Sequence, residues 1–112
     1  MTDDFKQLTI KQAHDLLVKK ELSVRELVEH FLKEANAKSN LNAYLEIFDD
    51  VRAQSEIAQK MIDGGTATLL TGIPFAIKDN ILIKGKIASA SSKMLENYVA
   101  TYDATAIQKL KE

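Results

Sequence analysis

The sequence contains no cysteine, which excludes disulfide bonds and thiolate metal sites and agrees with a reducing compartment. An excess of positive charge is also missing, because 15 basic residues are balanced by 16 acidic ones and the net charge is -1. Without a basic stripe, the chain offers no electrostatic surface for nucleic acid. Any RNA is therefore expected to be held by another part of the molecule or by a partner protein.

Long hydrophobic runs are missing as well. The longest apolar run is far shorter than a membrane span and contains Pro74. Asp3 and Asp4 near the N-terminus are not followed by the apolar core of a secretory signal. We therefore expect a cytoplasmic protein that makes no contact with a membrane.

The first third of the chain has the pattern of two amphipathic helices. Thr9 and Gln12 form a capping-box pair, and Ser23 and Glu26 form a second and stronger one. Apolar residues follow each box at helical spacing, so the sequence predicts two helices over about 9–36.

The middle of the chain predicts strand, helix and strand. Residues 43–48 alternate in polarity as a short strand does, and Asp49 or Asp50 is placed to cap a helix that ends at Gly64-Gly65. Residues 72–78 form a continuous apolar run, which is typical of a strand covered on both faces.

The last third predicts short elements and an unfinished sheet. Ser91 or Ser92 is placed to cap a short helix over 93–98, and Asp103 to cap a last helix. Too few strands are present to close a sheet. We therefore expect an α/β fold with an incomplete sheet, and an N-terminal piece of a longer protein.

The stretch GIPFAIKDN, residues 72–80, places Lys78 at the end of the apolar run. A lysine at a strand end is more often solvated than catalytic. To act as a base near neutral pH, a lysine must lose roughly three units from its reference pKa of about 10.4, which desolvation favours and a neighbouring carboxylate opposes. Asp79 therefore counts against a basic lysine unless its side chain turns away to bind backbone amides in the turn.

Other polar residues have structural explanations. His14 and His30 lie beside apolar helix faces without further ligands at metal spacing, so we expect surface or boundary packing and no metal site. The serine cluster is explained by caps and turns, since it lacks an S-x-x-K arrangement. That cluster consists of Ser89, Ser91 and Ser92.

The stretch GIPFAIKDNI, residues 72–81, resembles the lysine-bearing strand of the amidase signature family. Two later segments resemble the family's tRNA-dependent amidotransferase branch, SKMLENY at 92–98 and YDATAIQKL at 102–110. Residues 42–44 are consistent with the same branch. The resemblance implies that residues 1–112 are the N-terminal portion of a single amidase domain, whose fold packs helices on a mixed β-sheet. One departure is Ala88-Ser89, where family members usually carry two threonines.

The resemblance implies a Ser-Ser-Lys mechanism in which Lys78 exchanges a proton with a bridging serine that activates a nucleophilic serine. Both serines lie beyond Glu112 in the family's pattern, so we expect the chain alone to be inactive. No cofactor-binding residue is expected in this chain.

The branch implies a glutaminase component of a carbon–nitrogen ligase. It would hydrolyse glutamine to supply ammonia for converting Glu-tRNA(Gln) to Gln-tRNA(Gln). The resemblance further implies a heterotrimer with amidotransferase B and C subunits, in which the partner holds the tRNA and the full complex uses ATP and Mg²⁺.

Two alternatives remain open from the sequence. One is another amidase-signature hydrolase that acts on a small amide without a tRNA partner. The other is a non-enzymatic helical interaction module, which would have to fold cooperatively by itself.

Overall fold

The computed structural model describes residues 5–112, so Asp3 and Asp4 lie outside the described residues. The chain divides into two compact units, Met1–Pro74 and Phe75–Glu112. The α-helices are α1 (Ile10–Val18), α2 (Val24–Ala37), α3 (Val51–Asp63) and α4 (Thr105–Lys111), and single 3-10 turns occur at Phe5–Gln7, Ser39–Leu41 and Lys93–Leu95.

Helices α1 and α2 begin at the two predicted capping boxes. The Thr9 hydroxyl accepts from the Gln12 amide at 3.1 Å, and the Gln12 side chain accepts from the Thr9 amide at 2.9 Å. The Ser23 hydroxyl accepts from the Glu26 amide at 3.1 Å, and the Glu26 carboxylate accepts from the Ser23 amide at 3.4 Å. Both predictions are confirmed, because each box satisfies amide groups that a helix start leaves free.

The predicted glycine stop of α3 is also confirmed. Gly65 has a φ of 75°, and its amide donates to the Ile62 carbonyl at 3.2 Å. The Thr66 amide donates to the Met61 carbonyl at 2.9 Å, which completes a Schellman motif. Asp50 occupies the N-cap position of α3 but makes no side-chain capping bond.

The core of the first unit is built from α1, α2, α3 and the segments that join them. Helix α2 packs on α3, and the Gln59 side chain accepts from the Val24 amide at 2.9 Å. The buried cluster consists of Phe5, Ala13, Leu17, Leu22, Val24, Leu27, Val28 and Ile62. Its members come mainly from the apolar stripes that predicted the helices.

The second unit contains a short antiparallel backbone pairing and helix α4. Ile87 and Val99 form an isolated bridge, and the amide of Ala88 donates to the Tyr98 carbonyl at 3.1 Å. Its buried apolar residues are Ala88, Ala100 and Ile107.

The predicted mixed β-sheet is not confirmed. Residues 43–48 and 72–78 are not strands, and within the described part of the chain the only strand-like pairing is the isolated bridge in the second unit. A strand requires the backbone groups of a neighbouring strand, and residues 5–112 place none beside either segment. The sheet and the single amidase domain therefore stay predictions.

Two predictions for the last third need correction. The side chain of Asp103 does not cap α4, because Ala104 occupies the N-cap position and makes no capping bond. The Asp103 carboxylate instead accepts from the Lys84 amide at 2.8 Å and pairs with Lys111 at 2.8 Å. The predicted helix over 93–98 is only a single 3-10 turn, although Ser92 caps it as expected.

Candidate functional site

Lys78 ends an irregular segment of the second unit. Its side chain is exposed, and Phe75 before it is half exposed. The Lys78 carbonyl accepts from the Ile81 amide at 3.0 Å, which closes a turn around Asp79 and Asn80. The described residues therefore present Lys78 to solvent, and the expected desolvation stays a prediction for the complete site.

Asp79 turns its carboxylate toward the loop at residues 89–91. One carboxylate oxygen accepts from the Ser89 amide at 3.2 Å, and the other accepts from the Ser89 hydroxyl. The Asp79 carbonyl accepts from the Ala90 amide at 3.1 Å. The Asp79 side chain therefore turns toward backbone amides, as expected from the sequence if Lys78 is to act as a base.

These hydrogen bonds favour the ionised form of Asp79. The hydroxyl and then the amide of Ser89 hold the pKa of the Asp79 carboxyl below its usual value. The amides of Ser91 and Ala90 lower this pKa further, while desolvation opposes them. Asp79 is consequently a carboxylate with its own set of donors.

The loop that Asp79 binds has an unusual backbone. Ala90 and Ser91 have φ values of 50° and 61°, in the left-handed region that residues with a Cβ rarely adopt. Such conformations persist where the surroundings hold them. The oxygen atoms of Asp79 accept from the Ser89 and Ala90 amides, which restrains the backbone at this turn.

The other polar residues singled out in the sequence do not assemble a second centre. Ser92 caps the 3-10 turn, with its hydroxyl accepting from the Met94 amide at 3.2 Å. His30 lies edge-on to Phe5 and Phe31, with ring centroids 4.9 and 5.2 Å apart. Across residues 5–112, no cluster of three or more His, Asp or Glu side chains is placed to hold a metal ion.

The first unit also contains a groove, which is lined by residues between 31 and 47 and not by residues 72–80. It has a volume of about 340 Å³ and lies between the C-terminal half of α2 and residues 39–47. Phe31, Leu41, Tyr44 and Ile47 give it an apolar lining, and Glu34 also lines it. Lys78 is not among its lining residues.

Sequence reasoning missed the pairing of Ser89 with Asp79. The local pattern assigns Ser89 only to turns and caps, and ten positions separate it from its partner. The available signal was Asp79 itself, since a carboxylate beside a lysine that must lose its proton needs other donors. Nothing local to Ser89 identified it as one of them.

Comparison with known proteins gives a consistent family. The Amidase family profile matches residues 26–112. The A subunit of Glutamyl-tRNA(Gln) amidotransferase from Ruminiclostridium cellulolyticum is 46% identical over 109 residues, which are 96% of this chain and 22% of that protein.

Two further relatives carry the same name. The protein from Streptococcus agalactiae is 43% identical over 95% of this chain and 22% of its own length. The one from Oenococcus oeni is 43% identical over 100% of this chain and 23% of its own length. The chain thus spans less than a quarter of the length of these relatives.

No solved structure matches the chain. None of the helices in the described range 5–112 is long and apolar enough to cross a membrane. The family match nevertheless includes most of the sequence and the whole segment around Lys78. This chain belongs to the amidase family.

Proposed function

We propose that this chain carries the catalytic lysine of a glutamine-dependent amidotransferase. The observation that supports the proposal most directly is the segment GIPFAIKDNI, which contains Lys78 and lies within the match to relatives named as the A subunit of Glutamyl-tRNA(Gln) amidotransferase. The complete protein would hydrolyse glutamine to ammonia for the conversion of Glu-tRNA(Gln) to Gln-tRNA(Gln).

Lys78 acts by proton exchange in the proposed Ser-Ser-Lys site. Its neutral amine takes a proton from a bridging serine, which in turn takes the proton of the nucleophilic serine as that oxygen attacks the glutamine amide carbon. The C–N bond then breaks, and the returning proton leaves with ammonia. Water releases glutamate from the acyl-enzyme by the same proton path.

The family pattern places the bridging and nucleophilic serines outside residues 1–112. A lysine without a serine to deprotonate has no nucleophile to activate, so the chain by itself is expected to be inactive. The serines Ser89, Ser91 and Ser92 do not replace them, since Ser89 is bound to Asp79 and Ser92 caps a turn.

The proposed complex is a heterotrimer with B and C subunits. The balanced charge of this chain, 15 basic against 16 acidic residues, supports the placement of tRNA on a partner rather than here. ATP and Mg²⁺ would serve the activation of the glutamyl group in the full complex.

A chimaeric protein tests the proposal. This chain replaces the matching 109 residues of the Ruminiclostridium cellulolyticum relative, and the chimaera is produced together with the proteins that copurify with that relative. We expect glutamine hydrolysis, and we expect Lys78→Ala to lower kcat by at least about 10³-fold, because loss of one member disables a catalytic triad.

Lys93→Ala is the matched control, since Lys93 is also an exposed lysine of the second unit. It should leave glutamine hydrolysis unchanged. Equal rates for the Lys78 and Lys93 variants would refute the assignment of Lys78. A chimaera that hydrolyses other small amides but not glutamine would favour the alternative hydrolase.

A further inference from the structure

Asp79 presents a physical conflict with the proposed role of Lys78. The two residues are consecutive, and a carboxylate close to an ammonium stabilises the protonated amine. Proton exchange with a serine requires the opposite, an amine that loses its proton readily. The structure must therefore keep the negative charge of Asp79 away from the Lys78 amine if this lysine is to act as a base.

The contacts of Asp79 show how this separation is achieved. Both carboxylate oxygens are occupied by Ser89, one by the amide at 3.2 Å and one by the hydroxyl. In the part of the chain that the structure describes, no ion pair joins Lys78 to Asp79. Two neighbouring residues thus have different surroundings, the ammonium in solvent and the carboxylate on a loop.

The loop is shaped for this contact. Ala90 and Ser91 are both left-handed, and the turn places the Ser89 and Ala90 amides against the same residue. The Asp79 carboxylate accepts from the Ser89 amide at 3.2 Å, and the Asp79 carbonyl accepts from the Ala90 amide at 3.1 Å. The turn that carries Lys78 is thereby fixed to residues 89–91.

We propose that Asp79 is a positioning residue for Lys78, and that Ser89 is the group that holds Asp79 in place. Capture of the Asp79 carboxylate by the Ser89–Ser91 loop withholds a counter-ion from the Lys78 ammonium and fixes the turn from which the lysine projects. The effect on catalysis rests on the proposed function, whereas the contact between Asp79 and the Ser89–Ser91 loop does not depend on it.

The Ser89 hydroxyl can be removed by substitution without changing the backbone amides that bind Asp79. Ser89→Ala removes the hydroxyl donor and weakens the hold on the Asp79 carboxylate, which then keeps only backbone amides of the loop. Asp79→Asn keeps the shape of the side chain, because the amide oxygen still accepts from the Ser89 amide while the NH₂ group donates to the hydroxyl. That variant removes the charge without removing the contact.

The first measurement uses the 112-residue chain and follows hydrogen exchange of the backbone amides of residues 79–91 by NMR. We expect Ser89→Ala to speed exchange of the Ser89 and Ala90 amides by about 10-fold, because loss of a hydrogen bond to a charged group loosens the contact between the loop and Asp79. Ser89→Thr keeps the hydroxyl and should not speed exchange. Asp79→Asn keeps an acceptor for the Ser89 amide and should speed exchange less than Ser89→Ala does.

The second measurement uses the chimaeric protein. The acidic limb of the kcat profile for glutamine hydrolysis should move to higher pH with Ser89→Ala, and this shift should be absent in the double variant Ser89→Ala/Asp79→Asn, which has no carboxylate at position 79. A purely structural role for Ser89 would lower activity equally at all pH values. Glu96→Gln removes an exposed carboxylate of the same unit and serves as the charge control.

The outcomes separate this inference from the proposed function. Unchanged amide exchange in Ser89→Ala, or equal acceleration in Ser89→Thr, overturns the inference whether or not the chimaera is active. A chimaera that does not hydrolyse glutamine refutes the proposed function, while amide exchange in the 112-residue chain still decides the role of Asp79 and Ser89.

Discussion

At the scale of single residues, side-chain chemistry identified the candidate site and tertiary contacts gave it a physical form. Lys78 stands out because an ammonium follows an apolar run, and Asp79 because a carboxylate opposes a basic lysine. The structure adds Ser89, whose hydroxyl and amide both bind Asp79. A sequence read in one dimension offers no reason to pair residues ten positions apart outside regular structure.

Gly72 is a second residue whose importance depends on packing. Its φ is 83°, and a Cβ at this position would lie 2.8 Å from a methyl carbon of Val24 and 3.3 Å from one of Leu17. The glycine therefore allows residues 72–74 to approach the buried cluster of the first unit.

We predict that Gly72→Ala lowers the free energy of unfolding of the first unit by about 2–4 kcal/mol, because backbone strain and overpacking combine. Gly65→Ala is the matched control, since Gly65 has a φ of 75° but a Cβ there would meet no heavy atom of the described residues within 4 Å beyond its own chain neighbours. It should cost only about 1 kcal/mol. Denaturant unfolding compares the two variants, and equal losses would show that the close approach is not restrictive.

At the scale of elements, the four α-helices were predictable, whereas the helix expected over 93–98 is only a 3-10 turn and neither expected strand forms. The capping boxes at Thr9 and Ser23 and the glycine stop at Gly65 occur where the sequence placed them. These signals are local, because a helix satisfies its backbone groups within one segment. Residues 43–48 and 72–78 carry strand patterns, but pairing depends on other segments, and neither is a strand here.

The cap of α2 gives an element-scale prediction. Ser23→Ala removes the acceptor for the Glu26 amide and should destabilise the first unit by about 1 kcal/mol. Ser23→Thr retains a capping hydroxyl and should lose much less stability. Thermal unfolding measured by circular dichroism tests the pair, and identical transitions for the Ala and Thr variants would contradict a role for the cap.

At the scale of the whole molecule, the carboxylates predict how stability depends on pH. Four carboxyl groups have lowered pKa values, each mainly because of one side-chain hydrogen bond. The donors are Arg52 for Glu29 and Lys6 for Glu34. They are Ser89 for Asp79 and Lys111 for Asp103. A carboxyl with a lower pKa in the folded state binds fewer protons than in the unfolded state. Its contribution to stability is present above the unfolded pKa and is lost as pH decreases through the folded value.

We therefore predict that the chain loses stability progressively below about pH 5. Asp103→Asn should reduce the pH dependence measured in the second unit, because Asp103 accepts from the Lys84 amide and pairs with Lys111. Glu96→Gln changes the same charge at an exposed position and is the control. Amide exchange in unit Phe75–Glu112 measures the effect at about pH 7 and about pH 3.5, which lie on either side of the usual carboxyl pKa values. The prediction would be contradicted if the change in stability between these two pH values were the same in Asp103→Asn as in the unaltered chain.

The sequence by itself determined the four α-helices, the capping boxes of α1 and α2, the glycine stop of α3, the family and the position of Lys78. Each of these depends on residues that are close in the chain or on a motif that is continuous. Only the tertiary structure decided that Asp79 binds Ser89, that Gly72 approaches Val24, and that Asp103 binds the Lys84 amide rather than capping α4. These contacts join separate segments, so their energies depend on how the chain folds in three dimensions rather than on local sequence.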